Sequence, residues 1–230
     1  MTLSELFQAL LNEKYIQLEE ETASYNCHMH SGTLYIFFEW SNGKTDWYNN
    51  LDFPAKPYRN MENRWYAHRG FLRVWKVIED HLRPYIMDPS VKKIVIGGYS
   101  HGAAIALLCH EFCMFNRRDL EDRIFGYGFG CPRVLHGHLT RQVKKRFRHF
   151  FVIRNGRDIV THVPPALFGF RHVGEMIVIG RDSRLCPVDA HRPENYTAAL
   201  MSSPAGKMRV DCPYQKSDDG AHCNDNTCRM

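Results

Sequence analysis

Apolar residues recur with helical spacing at the beginning of the chain. Leucine and phenylalanine side chains follow one stripe from Leu3 to Leu18, and Thr2 with Glu5 forms a capping box in front of it. This pattern predicts an amphipathic helix over about residues 3–20 that packs on the body of the domain. The polar face carries glutamates instead of a basic run, which disfavours a helix on a membrane surface.

Strand-like and helix-like segments alternate through the rest of the chain. Short apolar runs between turn residues predict strands at 24–30, 33–40, 91–97, 124–129, 149–154 and 176–179. Helical spacing predicts helices at 69–83, where Pro84 would end the helix, at 101–115 and at 135–147. Alternating strands and helices are typical of an α/β fold, so we expect a mostly parallel central sheet with helices on both faces.

Length and composition are those of one globular domain. The 230 residues suffice for a sizeable core, and 44% hydrophobic with 24% charged residues excludes a disordered or fibrous chain. We expect a single domain over 1–205 and a polar, cysteine-containing tail over 206–230. The aromatic segment 42–66 has two interpretations, a lid over a site or a rigid surface insertion.

Net charge and cysteine content limit which partners, cofactors and location we expect. The formal net charge of +5 is too small to indicate nucleic-acid binding, and we expect no nucleic-acid partner. The first residues lack the pattern of a signal peptide, so we expect a cytoplasmic protein whose cysteines are reduced. Cys212, His222, Cys223 and Cys228 match no zinc-finger spacing, and we expect no metal and no cofactor.

Five basic residues lie on and after the helix predicted near residue 140. They are Arg141, Lys144, Lys145, Arg146 and Arg148. A solvated helix face is the favoured interpretation of such a cluster. The alternative is a transient contact with anionic headgroups of a membrane or lipid surface, which suits a lipid substrate.

One short motif carries candidate chemistry. Residues 98–102 read Gly-Tyr-Ser-His-Gly, which fits G-x-S-x-G between a predicted strand and a predicted helix. A sharp strand-to-helix turn would expose the Ser100 hydroxyl, with no space for side chains at 98 and 102. The helix N-terminus would also favour negative charge on a bound oxyanion. The alternative is a glycine-rich turn with an incidental serine, but the context favours a nucleophile.

A serine nucleophile needs a histidine base and a carboxylate that holds the histidine. Asp158 follows a predicted strand, at the edge where sites in such sheets collect. Of the histidines after it, His162 is too close in sequence to approach from a separate loop. His191 lies in a later polar loop and is the preferred base, and His172 is the second choice.

Several ordered blocks between about residues 33 and 200 resemble the class 3 lipases, the fungal-lipase-like branch of the α/β-hydrolases. The blocks are Ala67-His68-Arg69-Gly70-Phe71, Gly98 to Ala104, Gly128 to Val134, Asp158-Ile159-Val160 with Pro164-Pro165, Arg171 to Gly174, and His191 with Tyr196. The resemblance implies an α/β-hydrolase-like fold with the triad Ser100, Asp158 and His191. It also implies that His172 is structural.

The resemblance further implies two oxyanion-hole donors, the backbone amides of His101 and Ser41. Ser41 falls on the Thr/Ser position of the family's F-R-G-T/S stretch, whereas Glu39 and Trp40 replace its Arg and Gly. In the elbow, His101 replaces an apolar residue and Ala103 replaces a glycine. All three residue types of the triad are present.

The resemblance implies a serine hydrolase, a lipase or esterase that cleaves carboxylic esters such as acylglycerols or phospholipids through an acyl-enzyme. An alternative is a catalytically inert protein of the same fold that binds lipid or a protein partner, which the altered 39–41 segment would suit. Another is a protein whose basic helix binds nucleic acid or membrane, with the serine motif incidental. Salt-dependent binding without turnover would indicate that class.

Overall fold

The computed structural model describes residues 1–18, 24–40, 55–58, 65–137, 140–181 and 185–210. Most of the aromatic segment 42–66, on which the lid hypothesis rests, lies outside the described residues. The three cysteines of the tail lie outside them as well. Among the helices in the described ranges, none combines the length and apolar composition that crossing a membrane requires.

The described residues form strands and helices that alternate as the sequence predicts. The strands are β1 (Ile16–Gln17), β2 (Ser24–His30), β3 (Thr33–Phe38), β4 (Ala55–Tyr58), β5 (Trp65–His68), β6 (Lys93–Tyr99), β7 (Ile124–Phe129), β8 (Leu135–His136), β9 (Phe150–Asn155), β10 (Phe170–Arg171) and β11 (Glu175–Ile179). The α-helices are α1 (Leu3–Asn12), α2 (Arg69–Ile86), α3 (His101–Asn116), α4 (Arg141–Arg146) and α5 (Pro193–Ser202).

A central sheet has the strand order β1-β2-β3-β6-β7-β9-β11. β1, β2 and β3 pair antiparallel, and every pair from β3 to β11 is parallel. A smaller antiparallel sheet has the order β10-β8-β5-β4. The predicted α/β class with a mostly parallel sheet is therefore confirmed. The carboxyl ends of β6, β7 and β9 lie side by side at one edge, where loop residues can converge.

Both faces of the central sheet are covered by helices. α2 and α3 pack on one face with side chains such as Trp75 and Phe112, and α1 and α5 pack on the other with Phe7 and Tyr196. Almost every residue of α3 is buried, because this helix lies between the sheet and α2. The nucleophile motif is thus fixed at both ends by buried elements.

The first helix is shorter than predicted. Its capping box is present, since Thr2 Oγ1 accepts from the Glu5 amide at 3.2 Å and the Glu5 carboxylate accepts from the Thr2 amide at 2.8 Å. The helix ends at Asn12, so the prediction of a helix to residue 20 is wrong. The Tyr15 hydroxyl donates to the Leu10 carbonyl at 2.7 Å, which satisfies the helix end, and β1 then pairs with β2.

Two other helix boundaries differ from prediction. α2 continues through Pro84 to Ile86, because a proline in the last turn removes few hydrogen bonds and the Ile86 side chain is fully buried. The helix predicted at 135–147 is confined to Arg141–Arg146, and Leu135–His136 form β8 instead. There the backbone pairs with both β5 and β10, which satisfies polar groups that a helix would satisfy internally.

The packed domain extends beyond the predicted boundary at residue 205. The Leu3 amide donates to the Met208 carbonyl at 2.8 Å, and the Tyr127 hydroxyl donates to the Val210 carbonyl at 2.8 Å. Met208 and Val210 are buried against the face that α1 covers. Residues 206–210 therefore belong to the domain, and the polar residues after them lie outside the described part.

Buried His110 should make the stability of this fold sensitive to pH. Burial lowers the pKa of His110 to about 3. Between the ordinary value of about 6.5 and that value, the unfolded chain binds a proton that the folded protein excludes. The free energy of unfolding should therefore fall as pH decreases, by about 1.4 kcal/mol per pH unit from this residue.

We expect His110→Gln to remove that contribution between pH 6 and 4.5, as measured by urea unfolding at several pH values. His28→Gln, at an exposed position, is the matched control and should leave the slope unchanged. Equal slopes for wild type and His110→Gln would contradict the assignment.

Candidate active site

Ser100 occupies a strained turn between β6 and α3. Its φ of 56° and ψ of −119° are values that residues with a side chain rarely adopt. Its amide donates to the Phe129 carbonyl at the end of β7 at 2.8 Å, which holds the turn against the sheet. The predicted elbow is therefore present, with the hydroxyl of Ser100 at the carboxyl edge of the sheet.

Two glycines allow backbone segments to meet at this turn. A Cβ on Gly98 would lie 2.2 Å from the Gly102 carbonyl oxygen, and a Cβ on Gly102 would lie 2.3 Å from the Phe38 carbonyl oxygen. Both contacts are with backbone, which cannot move aside as a flexible side chain would. The G-x-S-x-G spacing is thus required sterically, as the sequence predicts.

The three predicted triad residues are brought together by hydrogen bonds. His191 Nε2 lies 2.9 Å from Ser100 Oγ, and His191 Nδ1 lies 2.9 Å from Asp158 Oδ2. Because a carboxylate oxygen only accepts, Nδ1 donates to Asp158, and Nε2 can accept the serine proton. Ser100 and Asp158 are buried, and the His191 side chain is partly exposed. This is the geometry of a serine nucleophile with its base and orienting acid.

The buried Asp158 carboxylate has two further donors. The Val160 amide donates to Oδ1 at 2.8 Å, and the Tyr196 hydroxyl donates to Oδ2 at 2.6 Å. Burial and the adjacent carboxylate raise the pKa of Tyr196, which keeps its hydroxyl protonated. The sequence blocks include Tyr196 beside His191 but assign it no role, because an (i, i+5) spacing does not show which side chain it reaches.

His191 is held by its own neighbours. The Tyr99 ring stacks on the His191 ring with centroids 5.1 Å apart, and the Tyr99 hydroxyl donates to the His191 carbonyl. Asn155, at the end of β9, donates from Nδ2 to the Ala190 carbonyl at 3.0 Å. Sequence reasoning missed Tyr99 and Asn155 as supports, since both look like ordinary strand residues.

The other candidate histidines lie elsewhere. His172 Nε2 donates to the Thr161 carbonyl at 2.7 Å, and burial lowers the pKa of His172 to about 4, consistent with a neutral structural residue. His162 is exposed, and its carbonyl accepts from Arg133. Neither histidine makes a hydrogen bond to Ser100 or Asp158 among the contacts that the described residues show.

One of the two predicted oxyanion donors can be located. The His101 amide is in the first turn of α3, where amides have no partner inside the helix, and it directly follows the nucleophile. Ser41 lies outside the described residues. The last described residue before it, Trp40, packs edge-on against Tyr99 with ring centroids 6.0 Å apart, so this part of the chain passes close to the elbow.

The His101 side chain, in place of an apolar residue, packs against an aromatic ring. Its imidazole meets the Phe71 ring edge-on with ring centroids 5.4 Å apart, and the His68 ring stacks on Phe71 at 4.4 Å. Burial, with a smaller effect of His68, lowers the pKa of His101 to about 4. The imidazole is therefore neutral near pH 7 and fills space as an apolar residue would.

The basic residues of α4 are partly used in ion pairs away from the triad. Arg146 pairs with the buried Glu111 at 2.7 Å, and Arg148 pairs with Glu121 at 3.5 Å and with Asp122. Glu111 is in the C-terminal half of α3, whereas Ser100 precedes its first turn. The predicted contact of Arg141, Lys144, Lys145, Arg146 and Arg148 with lipid stays a prediction.

Comparison with known proteins identifies the family. The sequence profile of class 3 lipases matches residues 35–168, more than half of the chain. The chain belongs to the class 3 lipase family. This confirms the resemblance drawn from the motif blocks, and the matched range includes both the elbow and Asp158.

Two relatives and two solved structures illustrate the similarity. The lipase of Rhizomucor miehei is 33% identical over 150 residues, which cover 62% of this chain and 40% of the relative. Its solved structure superposes with a TM-score of 0.64 at 28% identity, over 74% of this chain and 66% of that one. A secreted mono- and diacylglycerol lipase of Malassezia restricta is 37% identical over 94 residues, 40% of this chain and 30% of the relative.

A further solved structure concerns the triad. It is the structure of a triacylglycerol lipase whose catalytic centre is formed by a serine protease triad, with a TM-score of 0.61 at 27% identity over 72% of this chain and 65% of that one. The chain spans less than two thirds of the length of these relatives.

Gly98 should tolerate no side chain, whereas its neighbour should. A Cβ on Gly97 would meet only side-chain carbons of Leu10 and Phe37 at 3.3 Å, in contrast to the backbone contact at Gly98. We expect Gly98→Ala to lower the free energy of unfolding by about 3 kcal/mol or more, and Gly97→Ala by about 1 kcal/mol. Urea unfolding of both variants measures the difference, and equal losses would contradict the steric argument.

Tyr196→Phe tests the hydroxyl that donates to Asp158. Removing this donor from a buried carboxylate should lower the free energy of unfolding by about 1–3 kcal/mol and kcat for an ester by about tenfold. Tyr127→Phe, which removes a buried hydroxyl bonded to Val210, is the matched control. It should lower stability without lowering kcat. A Tyr196→Phe enzyme with unchanged kcat would show that the hydroxyl serves the fold alone.

Proposed function

We propose that this protein is a carboxylic ester hydrolase that cleaves acyl esters of glycerol through an acyl-enzyme on Ser100. The observation that carries the proposal is the continuous hydrogen-bonded series from Ser100 Oγ through His191 to the buried Asp158. Membership in the class 3 lipases and the acylglycerol lipases among its relatives support this substrate class.

The mechanism follows from the proton positions. Ser100 Oγ attacks the ester carbonyl carbon while His191 Nε2 takes the hydroxyl proton, and the positive imidazolium is stabilised by Asp158. The His101 amide, with Ser41 as the second proposed donor, holds the oxyanion. Collapse of the intermediate breaks the ester C–O bond, and His191 returns the proton to the leaving alcohol. Water then attacks the acyl carbon while His191 Nε2 takes its proton. Collapse of this second intermediate breaks the bond to Ser100 Oγ, releases the acid, and His191 returns the proton to Ser100.

An exposed apolar rim beside the triad supports a lipid substrate over a small soluble ester. Val188 and Ile159 are exposed on the loops that carry His191 and Asp158, and the two loops are joined by the hydrogen bond from the Ile159 amide to the Pro187 carbonyl at 3.1 Å. Leu167, at 91% exposure, and Phe168 lie in the short turn between Asp158 and β10. Apolar side chains kept in water near a site are typical of contact with apolar ligands.

Two finer expectations remain proposals. A contact of the basic α4 cluster with anionic lipid would have to compete with the ion pairs to Glu111, Glu121 and Asp122. The cytoplasmic location expected from the first residues has no support from the relatives, since those from Malassezia are named as secreted lipases.

The alternative of an inert binding protein makes an opposite prediction at Ser100. An activated serine should react with a fluorophosphonate, and the adduct should map to Ser100 in the folded protein, with detergent present. Ser100→Ala should lose both the adduct and ester turnover, by about 10⁶-fold, and His191→Gln should lose the adduct. Ser90→Ala, at an exposed turn, is the control and should keep both. A folded wild-type protein that forms no adduct would favour the binding protein.

A further inference from the structure

A second group of basic side chains lies beside the triad and is not used by the mechanism above. It consists of Arg133, Arg154 and Arg171 with His162 and His172, and is called here the arginine cluster. Arg133 lies in the loop after β7, and Arg154 is the last residue but one of β9. The other members lie in or next to the segment 159–171, which begins directly after the catalytic candidate Asp158. The cluster is therefore on the same edge of the sheet as Ser100.

The strand register places Arg154 level with the nucleophile. Tyr99 on β6 pairs with Phe129 on β7, and Phe129 pairs with Ile153 on β9. Ser100 and Arg154, which come one residue later along the chain, therefore lie at the same level. β6 and β9 are two positions apart, which corresponds to roughly 10 Å. Side chains alternate between the two faces along β9, so Arg154 is on the same face as Val152. That face is covered by α3, the helix that directly follows Ser100.

The other two arginines are fixed around the adjoining turn. Arg133 Nη1 donates to the carbonyls of His162 and Pro164, the latter at 2.9 Å. Arg171 Nη1 donates to the carbonyls of Ala166 and Phe170 at 2.5 and 2.9 Å. Only one nitrogen of each guanidinium makes these bonds, and an arginine has five N–H donors. Both side chains are thus oriented and retain donors for a ligand.

The three arginines of the cluster have no ion-pair partner within the described part of the chain. The buried Nε of Arg154 also has no hydrogen-bond acceptor there. Burial and then Arg171 lower the pKa of Arg133. Burial, followed by Arg154 and Arg133, lowers the pKa of His162, and the Asp158 carboxylate opposes this shift. These side chains are near enough to repel one another, an arrangement that an anion would relieve.

We propose that the arginine cluster binds the phosphate of an anionic acyl ester, so that a monoacylglycerol phosphate is a better substrate than the neutral monoacylglycerol. This proposal rests on the proposed ester hydrolysis at Ser100. Guanidinium groups match phosphate oxygens in geometry and charge, and three of them can share one phosphate. The phosphate of such a lipid lies a few bonds beyond the acyl carbonyl, and the arginine side chain spans the remaining distance.

The position of the cluster also fits the shape of this ligand. Arg171 holds the short turn that carries the exposed Leu167 and Phe168, so charged and apolar surfaces adjoin in the segment that follows Asp158. An ester with an anionic headgroup and an acyl chain presents the same pair of surfaces. The α4 cluster lacks this arrangement, because its ion pairs are made with Glu111 in the C-terminal half of α3 and with Glu121 and Asp122 after that helix.

The test compares two esters with the same acyl chain, a monoacylglycerol and its phosphate, below their aggregation concentrations. Wild type should show a kcat/KM for the phosphate ester that is about tenfold or more above that for the neutral ester, the value of one charge-assisted hydrogen bond. The double variant Arg154→Gln with Arg171→Gln should lower this ratio by about tenfold or more. Arg154→Lys, which keeps the charge, should retain part of the ratio.

Arg123→Gln is the matched control, since Arg123 is exposed and precedes β7 at the opposite edge of the sheet. It should leave the ratio unchanged. Arg133 is not replaced, because its bonds to two carbonyls support the fold. Inorganic phosphate should inhibit hydrolysis of the phosphate ester competitively in wild type and more weakly in the double variant.

The outcomes separate this proposal from the proposed function. Equal kcat/KM for the two esters, with Ser100 still labelled by a fluorophosphonate, would overturn the headgroup site and leave ester hydrolysis standing. Phosphate that stabilises wild type against heat, but with no preference for the phosphate ester, would indicate a free-phosphate site and would also overturn it. A protein that hydrolyses neither ester and forms no adduct would overturn both proposals.

Discussion

The close contact between three backbone segments at the nucleophile turn is the constraint on which the site depends. The end of β3, the end of β6 and the first turn of α3 approach so closely that Gly98 and Gly102 leave no space for a Cβ. The positive φ of Ser100 costs of order 1–3 kcal/mol. Burial of nearly the whole of α3 offsets that cost, because the helix can remain in the core only if the turn stays sharp. Core packing and nucleophile geometry are therefore one property of this fold.

Asp158 and His191 likewise combine a place in the site with a role in the stability of the fold. A buried carboxylate is stable only when hydrogen bonds replace water, and Asp158 receives them from an amide, a tyrosine and the base itself. Each of those donors belongs to a different part of the chain. The carboxylate thus holds together the loop after β9, the loop before α5 and α5 itself, and the polar residues of the site contribute to the fold as well as to the proposed reaction.

How far the sequence predicted this structure depended on whether the deciding contacts were local. The strands β2, β7 and β11 and the Ser100 elbow have strong local signals in apolar runs and glycine spacing, and these predictions are confirmed. The sequence predictions were wrong for the end of α1, for the length of α4 and for the domain boundary near residues 206–210. In these places, pairing with distant strands or with α1 decides the structure. Tyr196 received no role for the same reason, since its partner Asp158 is reached only through the fold.

The attachment of the loop that carries His191 has a consequence for how this fold can vary. His191 is held by Tyr99, its neighbour Ala190 is held by Asn155, and Ile159 is bonded to Pro187, so the loop is fixed from three sides near its end. A change in the length or sequence of the stretch between β11 and Pro187 would leave these three contacts in place. The border of the site can therefore vary without a shift of the His191 imidazole.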